Sequence, residues 1–102
     1  MTDAPGVAPD DAADVYDATV TLPNGAGIHA RSAAALVKAA ARFQATVTLA
    51  VDVRTASARS LMELLRLAAR RGASVHVHAE GPDAEAAGRA LADMMDRGFG
   101  ED

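Results

Sequence analysis

The sequence contains no cysteine and no tryptophan, and its aromatic residues are one tyrosine and two phenylalanines: Tyr16, Phe43 and Phe99. Without cysteine there are no disulfides, thiolate metal centres, cysteine nucleophiles or thiol redox chemistry, and the reducing cytoplasm is the expected location. So few aromatics argue against a deep aromatic-lined pocket. No cofactor is expected, and the core must be close-packed from Ala, Val and Leu. No apolar run approaches the roughly 20 residues that a spanning helix needs, and the N-terminal stretch is acidic and rich in Pro and Ala. No membrane insertion is expected.

Positive charge is the minority: 10 basic against 14 acidic residues leave a net charge of -4. A nucleic-acid partner is excluded on that ground, because phosphate backbones call for a basic field. The basic residues are unevenly placed, however, with Arg31, Lys38, Arg42, Arg54, Arg59, Arg66, Arg70 and Arg71 all inside one central stretch. Such a local patch suits an acidic protein partner. Half of the 102 residues are hydrophobic, enough for one domain with a modest core.

Residues 1–14 carry four acids, Pro5, Gly6 and Pro9 and no apolar period, and are expected to form a flexible tail. From Val15 an alternation begins, with Ala18, Val20 and Leu22 on one face, the pattern of a half-buried strand ending at Pro23-Asn24-Gly25. Ala33, Leu36, Val37 and Ala40 recur at helical spacing, which predicts a helix over 30–42. Val47, Leu49 and Val51 predict a second strand, residues 53–56 a short third one, with Asp52 in the turn between them. Ser60 and Glu63 fit a capping box opening a short helix that fades near Arg70, with Gly72 as its stop. Val75, Val77 and Ala79 predict a fourth strand, and Gly81-Pro82-Asp83 turns into a last helix with Ala87, Ala90, Leu91 and Met94 inward and Gly98 at its end. The domain is expected over 15–98, with 99–102 as a C-terminal tail. The order βαββαβα predicts an α+β fold with the helices on one face of a largely antiparallel four-stranded sheet.

The residue of greatest chemical interest is His29, which follows the bendable loop Asn24-Gly25-Ala26-Gly27-Ile28 and immediately precedes a helix. A helix start presents unpaired N–H groups and the positive end of the macrodipole. An anion bonded to the imidazole there meets ready-made donors from Ala30 and Ser32, and Arg31 adds a cationic fork. A neutral imidazole is also a nucleophile at cellular pH. Taken alone, a histidine that only caps the helix is the better reading.

The stretch Gly27-Ile28-His29-Ala30-Arg31-Ser32-Ala33-Ala34 resembles the active-site signature of the HPr phosphocarriers of bacterial phosphotransferase systems, and Ala56-Ser57-Ala58-Arg59-Ser60-Leu61-Met62 resembles that family's second signature at the family's spacing. With Ala79-Glu80-Gly81-Pro82-Asp83 the resemblance covers about residues 15–95. It implies an HPr-like open-faced β-sandwich and a phosphoryl relay from enzyme I to His29 Nδ1, with Arg31 stabilising the phosphate, and then to an EIIA-type permease or regulatory domain. This is the role of a phosphocarrier and not of an enzyme, and a monomer is expected. The resemblance further implies that Ser60 can be a target of an HPr kinase/phosphorylase, although a serine at a helix N-cap already has a structural role.

Leu61, Met62, Leu64, Leu65, Leu67, Ala68 and Ala69 spread over more of the second helix than one sheet can cover. Leu64, Leu67 and Ala68 are expected to face the sheet, leaving Leu61, Met62 and Leu65 exposed with Arg59 beside them. In the family the matching positions dock partners. Departures are Ser32 for a usual proline, expected to loosen the first helical turn, and Ala68 and Glu63 at positions where other residues are common. His76 and His78 share a strand face, but with no third histidine or cysteine at hand they are expected to be solvated sheet residues, and no metal site is assigned. Two rivals remain: a regulatory binding module acting through docking and Ser60, and a hydrolase working through phosphohistidine, which lacks a carboxylate or second histidine between Asn24 and Ala35.

Overall fold

The computed structural model describes residues 14–101. Its strands are β1 (Val15–Thr21), β2 (Thr46–Val51), β3 (Arg54–Ser57) and β4 (Ser74–Glu80), and its helices are α1 (Ala30–Ala40), α2 (Leu61–Leu67) and α3 (Ala84–Asp96), followed by a 3-10 turn at Gly98–Gly100. The sheet runs β1-β4-β2-β3, with every neighbouring pair antiparallel. The last strand thus inserts between the first two. This is the open four-stranded sheet with three helices that the sequence implies.

Alternation decides the faces, because side chains of a strand point up and down in turn. Val20, Val47, Leu49, Ala56, Val75, Val77 and Ala79 point inward and meet Leu36, Leu64, Leu67 and Leu91 of the helices in one buried cluster. Each fully buried leucine contributes about 2 kcal/mol through the water-exposed area it removes. Close approach replaces bulk where α3 crosses β1: a Cβ on Gly88 would stand 2.1 Å from Tyr16 Cδ2. Only glycine fits there.

Several elements differ from the sequence expectation. α1 stops at Ala40 and not at 42. The third strand is Arg54–Ser57; Val53 lies in the turn, 95% exposed, with Asp52 at positive φ before it. α2 ends at Leu67 because Ala68 takes the left-handed conformation, so Ala68 is exposed and does not face the sheet, and Gly72 sits beyond the helix in the turn before β4. Arg54 helps to close that end, its Nε donating to the Leu67 carbonyl at 3.0 Å. In α3 the fully buried methionine is Met95, with Met94 and Ala90 only partly covered, since the buried face runs Ala84, Ala87, Gly88, Leu91, Ala92, Met95.

The two ends of the chain differ in turn. The tail expected over 1–14 lies outside the described residues except for Asp14, whose carbonyl accepts from Gly81 N. The segment expected as a tail from 99 instead returns to the fold: Phe99 packs on the core and Glu101 reaches the start of α1.

Candidate functional site

The loop before α1 is fastened to the end of α2. Ile28 N donates to the Ala69 carbonyl at 2.9 Å, and Gly27, at φ +63°, lies so close that a Cβ there would be 2.4 Å from Ala69 O. The following residue, His29, is therefore set at the N-cap of α1 by a backbone that only glycine can follow. Its imidazole is partly exposed, with 28% of its side chain accessible, and does not face the core.

Both ring nitrogens are engaged. Arg31 N lies 3.3 Å from Nδ1 and Glu101 Oε2 lies 2.8 Å from Nε2. A backbone N–H can only donate, so the bonding pattern assigns Nδ1 as the unprotonated nitrogen and Nε2 as the one bearing hydrogen. The nucleophilic lone pair thus faces the amides at the mouth of α1, and the N–H faces a carboxylate.

Glu101 is itself fixed from two sides, because Asn24 Nδ2, which is buried, donates to Glu101 Oε1 at 3.0 Å and to the Gly27 carbonyl at 2.8 Å. Partial desolvation pushes the Glu101 carboxyl up, but the bonds from His29 and Asn24, with the charge of Arg31, outweigh it and leave the carboxyl below its ordinary range. Its ionised state is the favoured partner for a ring that gains positive charge.

Neither Asn24 nor Glu101 was assigned a role from sequence. Asn24 reads as a turn residue, and Glu101 stands 72 residues from its partner. The one available signal was Phe99 between two glycines, an apolar anchor where a tail was expected. A carboxylate therefore does stand beside His29, although none lies between Asn24 and Ala35 in the sequence.

Ala30 and Arg31 occupy the exposed first turn, whereas Ser32 is buried. The Ser32 hydroxyl oxygen accepts from His29 N at 2.8 Å and its hydrogen faces the carbonyls of His29 and Gly27. The serine therefore tightens the turn it was expected to loosen, and closes a capping box that proline could not form.

At the second signature, Ser60 is the N-cap of α2 and its Oγ accepts from Glu63 N at 3.1 Å. Glu63 does not reciprocate on Ser60: its Oε1 accepts from Ser57 N, while Ser60 N donates to the Ser57 carbonyl. Leu61, Met62 and Leu65 are 41%, 59% and 37% exposed on one side of this helix. Arg59 beside them is tied down by Nη2, which donates to the Phe43 carbonyl at 2.6 Å.

Over most of its length the chain is similar to known proteins. A family model described as the phosphotransferase-system HPr component phosphorylation site matches residues 16–97. The chain is 36% identical over 83 residues to a phosphocarrier protein HPr of Xylella fastidiosa, covering 81% of this chain and 93% of that one. It is 38% identical over 94 residues to a multiphosphoryl transfer protein of Vibrio cholerae, covering 89% of this chain and 24% of that protein. Among solved structures, an HPr from Thermoanaerobacter tengcongensis superposes with a TM-score of 0.80 at 34% identity, over 85% of this chain and 98% of that one.

Proposed function

The chain belongs to the HPr family of phosphotransferase-system phosphocarriers, and from that premise we propose that His29 Nδ1 accepts a phosphoryl group from phosphorylated enzyme I and passes it to an EIIA-type permease or regulatory domain. The observation that carries this reading is the orientation of the ring: Nδ1 toward Arg31 N, Nε2 toward Glu101. In the forward step the Nδ1 lone pair forms a bond to phosphorus while the donor's bond to phosphorus breaks, its electron pair leaving with the donor atom. The ring, still carrying its Nε2 hydrogen, becomes cationic. Glu101 offsets that charge, and the phosphoryl oxygens meet the α1 amides and the Arg31 guanidinium.

A cationic ring is a good leaving group, so the same arrangement favours passing the phosphoryl group on. Glu101 holds Nε2, on the opposite side of the imidazole from the phosphorus, and so is not placed to activate a water for attack there. A carrier fits this better than a hydrolase. A purely regulatory module would have no use for the polar framework around His29.

Partner docking is assigned to Leu61, Met62 and Leu65 with Arg59 at their border, an apolar patch of the sort that marks interaction surfaces. Regulation by an HPr kinase/phosphorylase at Ser60 belongs to the same proposal, since a phosphoserine keeps acceptor oxygens for Glu63 N. The test is incubation of the chain with enzyme I and phosphoenolpyruvate, followed by intact mass. One added acid-labile phosphate that His29→Ala abolishes is the expected result; label that survives in this variant refutes the assignment.

A further inference from the structure

The helices cover one face of the sheet, and on the other Asp17 of β1 lies directly opposite His78 of β4, with His76 two residues along the same strand. Residues two apart on a strand share a face, so the register alone brings one carboxylate and two imidazoles together. Asp17 Oδ1 is 2.8 Å from His76 Nε2 and 2.6 Å from His78 Nδ1, and one ligand atom from each of the three lies within 4.8 Å of the others. We propose that Asp17, His76 and His78 form a binding site for a divalent transition-metal ion of the zinc or nickel class.

The donor set is the first argument. Imidazole nitrogen with a carboxylate suits borderline divalent ions, and metal–ligand bonds of about 2.0–2.1 Å put ligand atoms roughly 3.3 Å apart in a tetrahedron, so the 2.8 Å and 2.6 Å separations from Asp17 Oδ1 must open by about half an ångström to admit the ion, a side-chain adjustment. The ion takes the place of the hydrogens that now lie between Oδ1 and the ring nitrogens. The second argument is what holds the rings. His78 Nε2, the nitrogen not needed for the metal, is 2.7 Å from Glu80 Oε2, and His76 Nδ1 is 3.4 Å from Thr19 Oγ1. Each ligand ring thus has an outer partner fixing its orientation, as metal-bound histidines usually do.

The third argument is rigidity, since β4 is paired on both sides, to β1 and to β2. All three ligands are about one third to one half exposed, which leaves the remaining coordination positions to water or to a group from another molecule. The histidine spacing alone supplied two ligands. Pairing of β1 with β4 supplies the third.

The site is tested on the full chain by titrating zinc(II), and separately nickel(II), at neutral pH against a chromophoric chelator, with isothermal calorimetry for stoichiometry. One equivalent should bind, and His76→Ala, His78→Ala and Asp17→Asn should each lose it. Glu80→Gln should weaken binding roughly tenfold, as loss of an outer partner does. The chain has three histidines, so His29→Ala is the control, and it should bind unchanged. Far-ultraviolet circular dichroism of each variant establishes that it is folded. Absence of binding by the unaltered protein, or binding that disappears with His29 and survives loss of His76, overturns the proposal.

Discussion

Glu101 Oε2 lies 2.8 Å from His29 Nε2, so the carboxylate three residues after Gly98 orients the imidazole at the start of α1. Asn24 Nδ2 completes the arrangement by holding Glu101 Oε1 and the Gly27 carbonyl at once. A chain end, a turn and a helix cap thereby become one unit.

Replacing Glu101 by Gln keeps an acceptor for the Nε2 hydrogen and removes the negative charge. Phosphoryl transfer to His29 should slow roughly tenfold, the usual difference between a charged and a neutral hydrogen-bond partner, with the fold intact. Rapid-quench kinetics with phosphorylated enzyme I measures it. An unchanged rate would mean that the carboxylate does not act on the ring.

Gly27→Ala should be costly on two counts, because the residue sits at φ +63° and its new Cβ would be 2.4 Å from the Ala69 carbonyl. The expected loss is about 2–4 kcal/mol in denaturant unfolding, together with slower phosphorylation because the loop carrying His29 must shift. Stability equal to that of the unaltered chain would show that the loop is not clamped against α2.

The Asp83 carboxylate accepts from Gln44 N at 3.0 Å and from Ala45 N at 2.7 Å, bonds that hold its pKa below the ordinary 3.8. The folded value being depressed, this group's contribution is fully present above the unfolded pKa and is lost as pH falls through the lower folded one. Asp83→Asn should therefore reduce stability at neutral pH and flatten the acid limb of the stability curve below about pH 4. Thermal melts across pH 2–7 read both effects, and parallel curves for the two proteins would contradict the ion's role.

Leu61 and Leu65 are partly exposed, so a Leu61→Glu, Leu65→Glu double variant should retain most of its stability, losing less than about 2 kcal/mol. Binding to enzyme I should fall at least tenfold by calorimetry, since two anions replace an apolar contact. A large loss of stability with binding intact would identify these leucines as core.

Periodicity and spacing were enough to read the element order, the sheet's inward face and the place of His29, because each is written in residues a few positions apart: alternation for strands, the three-to-four spacing for α1 and α3, and glycines before a helix start. Boundaries were less legible. Val53 reads as strand but falls in a turn, because Val51 pairs with Arg54 and leaves Asp52 and Val53 as the two-residue connection, and Ala68 reads as the helix's inner face but turns left-handed to end it, where Arg54 Nε meets the Leu67 carbonyl and Ala69 is buried.

By itself the sequence determined the element order, the two signature stretches and the place of His29 at a helix start, since all three rest on local patterns that any tertiary arrangement must respect. Only the folded chain decided that Glu101 meets His29 and that Asp17 meets His76 and His78. Their partners stand 72, 59 and 61 positions apart, and contacts of that range are set by strand register and by where the closing turn lands, neither of which leaves a mark among neighbouring residues.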